Sequence, residues 1–155
     1  MNESSHPPVQ SLSPGLLRAV LHISHYLRDA RKPDRPGPTA MLVLGILHRR
    51  KTGTASGIAK ELGVKKQSLT AVLKQLQATG CIRKEHDGED GRKVALSLTA
   101  QGEQTFRGDM QTRKARLEQL MESALAPQDR AALATLLPVL EKLADAALAT
   151  DREAG

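Results

Sequence analysis

Tyr26 and Phe106 are the only aromatic side chains in this 155-residue chain, and it has no tryptophan. A core must therefore come from Leu, Val, Ile, Met and Ala, which favours helices packed along aliphatic stripes. Any pocket should be aliphatic too, and poorly suited to stacking flat ligands. The single cysteine, Cys81, excludes an intramolecular disulfide framework and gives no sign of an oxidising compartment. The first fifteen residues are polar and Pro-rich with no apolar core, so no signal peptide is expected. The uncharged, largely apolar stretch from Pro36 to His48 is too short to span a bilayer and contains Pro and Gly. A soluble, cytoplasmic protein that does not enter membranes is the expectation. There is no nucleophile–base pairing, no phosphate-binding Gly loop and no paired-carboxylate site. Neither an enzyme nor a cofactor is expected.

What the chain does have is segregated charge. Its formal net charge is +6. Residues 48–93 hold eleven Lys/Arg and five Asp/Glu, so the whole excess sits there, and the rest of the chain sums to zero. Such clustering points to an acidic polymer, nucleic acid before membrane.

The length suits one domain with helical extensions. Residues 1–13 read as a flexible tail, and residues 14–155 as a single domain. Ser13 and Pro14 mark the start of a first helix, to about Arg31, carrying Leu16, Leu17, Val20, Leu21 and Leu27 at near-helical spacing. The linker KPDRPGP cannot continue it. Thr39 is placed to cap a second helix, AMLVLGILHRR, whose near-continuous apolar run predicts deep burial. Gly53 ends that unit. Thr54 caps a short helix from Ala55 to Leu62, and Gly63 fits a left-handed turn. The next helix runs from about Lys65 to Thr79 and closes at Gly80. Cys81 to His86 reads as a strand, DGEDGR as a turn, and Val94, Leu96 and Leu98 as the buried face of a second strand. Thr99 starts a long helix that Ala126-Pro127 breaks. A last helix carries Leu133, Leu136, Leu137, Leu140 and Leu143, with Pro138 expected to kink it or delay its start.

Short helix, tight turn, longer helix and charged hairpin together make a winged helix-turn-helix. The expected fold is mostly α with a small β-hairpin wing. The winged unit covers about 39–99, and dimerisation helices cover about 14–31 and 100–151. At 100° per residue, Leu69, Val72, Leu73 and Leu76 fall on one face of the helix after Lys65. Gln67, Thr70, Ala71 and Lys74 fall on the other. That second face is polar, short and partly basic, which suits a major groove. Gln pairs with adenine, Lys meets guanine or phosphate, and Thr reads either or touches a thymine methyl. Lys65, Lys66 and Ser68 add phosphate contacts at the helix N-terminus. At the hairpin tip, Arg92 is positioned for a narrow minor groove, with Asp90 holding it in shape. Arg83, Lys84 and Lys93 flank the hairpin within reach of phosphate.

The stretch TASGIAKELGVKKQSLTAVLKQLQATGCIRKEHDGEDGRKVALSLTAQG resembles the DNA-binding core of the MarR (multiple antibiotic resistance regulator) family. The acid-x-Arg wing Asp90-Gly91-Arg92 and the following Ser97-Leu98-Thr99-Ala100-Gln101-Gly102 carry the likeness. It covers about a third of the chain by motif, and the helix order extends it to most of the rest. Two departures stand out: Ala71 where many members have a longer polar residue, and Gly57 in place of a common acidic or polar one. The resemblance implies a homodimeric transcriptional regulator, usually a repressor released by a small ligand or an oxidant. Its partners would be double-stranded DNA with an inverted-repeat operator, a second copy of itself, and a small-molecule effector.

Two readings from other classes compete. One is a metal- or redox-responsive sensor. His22 and His25 share a helix face and His48 ends the next helix, but no Cys or carboxylate cluster joins them apart from Asp29, so no metal site is expected. Cys81 lies near Arg83 and Lys84, yet its position favours a small buried hydrophobe. The other is a winged-helix protein-interaction module, which would show no salt-dependent DNA affinity.

Overall fold

The computed structural model describes residues 7–28, 36–86 and 94–153. Among these residues six helices and three short strands follow in the order α1 (Val9–Arg28), α2 (Pro38–Arg50), β1 (Thr52–Gly53), α3 (Ala55–Glu61), α4 (Lys66–Ala78), β2 (Ile82–His86), β3 (Val94–Leu98), α5 (Ala100–Ala124) and α6 (Pro127–Glu153). The strands form one antiparallel sheet in the order β1-β3-β2.

The core gathers around α2. Ala40, Met41, Val43, Leu44, Ile46 and Leu47 are all buried, as a helix apolar on nearly every side requires. They pack with Ile58 and Ala59 of α3, Leu69, Leu73 and Leu76 of α4, and Cys81, Ile82 and Leu96 at the sheet. Each fully buried leucine contributes about 2 kcal/mol by area removed from water. Of the large apolar side chains on α2, only Leu42 points outward, 58% exposed.

Helix ends follow their sequence signals closely inside the helix-turn-helix. Thr54 caps α3 and accepts the Gly57 N–H at 3.1 Å. Gly57 therefore takes part in the cap through its backbone, and no acidic side chain is needed there. Gly63, at φ 62°, closes α3: its N–H reaches Lys60 O and the Val64 N–H reaches Ala59 O. Gly80, at φ 69°, closes α4 in the same way, with its N–H on Gln77 O and the Cys81 N–H on Leu76 O. Both are Schellman closures, which need the left-handed residue that glycine supplies without strain. Because Cys81 donates to that closure, the strand begins at Ile82 and not at Cys81.

Elsewhere the boundaries differ from the sequence expectation. The first helix begins at Val9, ahead of the expected start at Pro14, so residues 9–13 are helical and Pro14 lies inside the helix. Pro8 supplies the carbonyl on which both the N–H and the hydroxyl of Ser11 close the first turn. The second helix is capped by Gly37, with Pro38 in its first turn, and not by Thr39. A proline there has its φ preset and lacks only an N–H that would have had no partner. Gly53, expected as a terminator, belongs to β1, where it pairs with Leu96. The last helix starts at Pro127 and continues through Pro138. The junction after β3 is tightly held: Thr99 caps α5 by accepting the Gly102 N–H at 3.0 Å. A Cβ on Gly102 would lie 1.9 Å from the Cys81 carbonyl oxygen, so only glycine fits.

Candidate nucleic-acid interface

Helix α4 is anchored along one side by Leu69, Leu73 and Leu76, all buried against α3 and α2. The 3.6-residue repeat then forces Gln67, Thr70, Ala71 and Lys74 outward, and all four are exposed. Lys65, Lys66 and Ser68 are exposed at the N-terminal end. The structure thus brings together seven of the residues singled out in the sequence. The Thr70 hydroxyl donates to Lys66 O at 2.9 Å. Its proton is engaged, which leaves lone pairs and a methyl group for any ligand.

The N-terminus of α4 breaks a local rule. Lys65 occupies the cap position with extended backbone and makes no side-chain cap bond, and the first turn holds no acidic residue. Free N–H groups and two lysines therefore meet at the positive end of the helix dipole. That arrangement is unfavourable for a helix in isolation and favourable beside an anion.

The sheet decides which strand residues face this helix. Lys84 pairs with Leu96 and Arg83 with Ser97, so the two side chains leave opposite faces of the sheet. Lys84 lines a cleft of about 220 Å³ with Thr70, Leu73 and Lys74 of α4. Arg83 lies on the other side, where its Nε donates to Ser97 Oγ at 3.1 Å and pairs with Glu85 at 2.6 Å. Strand alternation carries this distinction, although charge counting treats the two alike. Asp90, Arg92 and Lys93 lie outside the described residues.

The basic segment is also less free than its charge suggests. Arg49 and Arg50 both pair with Glu61, Arg50 at 3.0 Å, and the Glu61 side chain is only 8% exposed. These arginines brace α2 against α3.

The other singled-out groups do not converge on one site. His22 and His25 are exposed on α1. His48 is engaged elsewhere: its Nδ1 lies 2.9 Å from Glu103 Oε2, and its ring packs on Phe106 with centroids 4.8 Å apart. The hydrogen bond with His48 is the main cause that holds the Glu103 carboxyl below its ordinary value; desolvation, the next largest effect, opposes it, and Arg107 adds to the lowering. Among the described residues no three His, Cys, Asp or Glu side chains are grouped as a metal site would require. Cys81 is buried at 3% exposure, its Sγ 3.5 Å from the Thr79 hydroxyl. No described helix is long and apolar enough to cross a membrane.

Comparison with known proteins places these features. Residues 36–93 match the MarR family. The HTH-type transcriptional regulator YfiV of Bacillus subtilis is 29% identical over 102 residues, covering 66% of this chain and 63% of YfiV. The match thus spans just under two thirds of that relative's length. A transcriptional regulator from Pseudomonas aeruginosa superposes with a TM-score of 0.74 at 26% identity, covering 90% of this chain and 99% of that one. Escherichia coli MarR in its apo form superposes with a TM-score of 0.70 at 21% identity, covering 88% of this chain and 98% of that one.

Proposed function

We propose that this chain, a MarR-family winged helix over residues 36–93, binds double-stranded DNA of defined sequence and regulates transcription as a homodimer. The observation that carries the reading is the outward face of α4. Gln67, Thr70, Ala71 and Lys74 stand exposed beside an uncapped, lysine-flanked helix N-terminus. In this reading α4 enters the major groove. Gln67 and Lys74 meet base edges, Thr70 offers its methyl and lone pairs, and Ala71 gives close approach. Lys65, Lys66, Ser68 and Lys84 hold phosphates on either side. Arg92, steadied by Asp90 and flanked by Lys93, serves the minor groove from the wing.

The dimer reading is supported by the terminal helices. α1 has no buried residue, and Leu12, Leu17, Val20 and Leu21 are each more than half exposed. Leu136, Val139 and Leu143 of α6 are likewise more than half exposed. A second copy is the occupant that symmetry supplies for such a self-complementary apolar face. Two-fold pairing presents two α4 helices about one DNA turn apart, roughly 10 base pairs, and therefore an inverted-repeat operator. Repression by promoter blockage, release by a small ligand and action in the cytoplasm complete the reading. Selection of bound fragments from a random DNA pool tests it. An inverted repeat bound by a dimer is the expected result. Recovery of no preferred sequence would overturn it and favour a protein-interaction module.

A further inference from the structure

A strand of sugar–phosphate backbone separates the two grooves of a duplex. A reading helix in the major groove and a wing in the minor groove must therefore straddle one such strand. The space between them in this fold is the cleft of about 220 Å³ bounded by α3, α4 and the sheet. Its volume falls below the roughly 300–1,000 Å³ of small-molecule sites. It suits one moiety of a larger ligand.

Local periodicities bring its lining together. On α4, Thr70, Leu73 and Lys74 are three and four apart and share a face. On β3, Val94 and Leu96 are two apart and share a face, and Lys84, opposite Leu96 in the register, joins them. Ala55 of α3 completes the cleft with a single methyl group. Leu73 and Leu96 are buried, and Ala55 and Val94 are half-buried. Lys74 and Lys84 are exposed. The result is an apolar floor with one ammonium group on the α4 rim and another on the sheet rim.

A nucleotide has the same order across it. Lys74 stands on the rim that meets base edges, and Lys84 on the rim that meets phosphate. What joins a base to its phosphate is the sugar, which then lies over the apolar floor. A deoxyribose brings a bare methylene at C2′ and gives up little hydration there. A ribose would press a hydroxyl against Leu73, Val94 and Leu96, none of which can hydrogen-bond through its side chain. The Thr70 hydroxyl proton is already engaged by Lys66 O at 2.9 Å. Burial of a hydroxyl without a partner is unfavourable, and the 2′-hydroxyl is the group by which a protein tells RNA from DNA. We infer that this cleft seats one deoxyribose of each operator half-site and selects against ribose at that nucleotide. The inference rests on the DNA-binding reading above and adds a sugar subsite to it.

The operator recovered from a random DNA pool is resynthesised as a series of duplexes, each with a single ribonucleotide, and titrated with the full chain. One nucleotide per half-site should lose about tenfold in affinity, as burial of one unpaired hydroxyl implies. Ribose elsewhere should change little. Val94→Thr is close to isosteric and suits a strand. Its hydroxyl faces the sugar, so it should weaken binding of the all-DNA operator severalfold and reduce the ribose penalty at that nucleotide to about twofold. Ala55→Leu, which fills the cleft, should weaken all-DNA binding by about tenfold and erase the position dependence. If Ala55→Leu does not fold, Val94→Thr carries the test. A flat ribose scan, or a sensitive position whose penalty Val94→Thr leaves unchanged, would overturn the sugar subsite and leave the functional reading standing. Failure of the wild-type chain to bind any duplex would overturn the functional reading and the subsite with it.

Discussion

Gly102→Ala should be among the most damaging single substitutions outside the aliphatic core. The added Cβ would lie 1.9 Å from the Cys81 carbonyl oxygen and 2.8 Å from its carbon. Relief needs a shift of roughly 1 Å or more in backbone that is held from both sides. On one side the Cys81 oxygen accepts the Thr99 N–H at 3.1 Å. On the other, Thr99 caps α5 through the Gly102 N–H itself. Forced overpacking costs about 1–3 kcal/mol, and a damaged cap adds about 1 kcal/mol. The sum, about 2–4 kcal/mol, should lower the melting temperature by roughly 5–15 °C for a domain of this size. Gly108→Ala, further along the same helix, is the control. Nothing lies within 4 Å of its Cβ position, so it should gain about 0.5–1 kcal/mol from better helix propensity. Thermal melts of the two variants beside wild type decide the matter. If Gly102→Ala melts within about 2 °C of wild type, the close approach at Cys81 does not hold the wing to α5 and the reasoning fails.

Four outcomes concern the surface and its supports. Lys84→Ala should weaken DNA binding and reduce the log–log salt slope by about 0.9 per chain, whereas Arg83→Ala, on the far face of the sheet, should leave the slope unchanged; fluorescence titrations at several salt concentrations separate them. Gln67→Ala should cost about 1–3 kcal/mol on the selected site and relax base preference at one position per half-site, read by competition against single-base variants. Arg92→Ala should lose discrimination at A/T-rich flanks, and Asp90→Ala should do so more mildly, read by titration against operators with shuffled flanks. Because the Glu103 carboxyl is held below its ordinary value, its pairing stabilises the fold above that ordinary value and is lost as pH falls through the lowered one. Glu103→Gln should therefore be less stable than wild type in the neutral region and converge with it at acid pH, which flattens the acid limb of the stability–pH curve.

Much of the winged helix is legible in the sequence because its signals are local. Thr54, Gly63, Gly80 and Thr99 each impose a backbone requirement within three or four residues, and all four hold as read. The helical period of Leu69, Leu73 and Leu76 determines which face of α4 is buried, and hence which residues are exposed. Features set by distant partners are not legible. β1 is two residues long and exists only through its pairing with β3, so no periodicity announces it. Arg49 and Arg50 count toward a DNA-facing patch by charge alone, yet Glu61, on the next helix, binds both. Pro14 reads as a helix start because proline suits the first turn, and the chain places it further in. The separation of Lys84 from Arg83 is present in the strand alternation and becomes decisive once the register against Leu96 and Ser97 is known.

The salt dependence of binding to the selected operator tests the central claim most directly. Lys65, Lys66 and Lys84 are described cations placed beside the reading helix. With both chains of a dimer engaged they neutralise about six phosphates, for a log–log slope of about −5. The account predicts a slope at least that steep, with tight binding confined to the inverted repeat at physiological salt. A flat salt response, or equal affinity for the operator and a scrambled duplex, would contradict it.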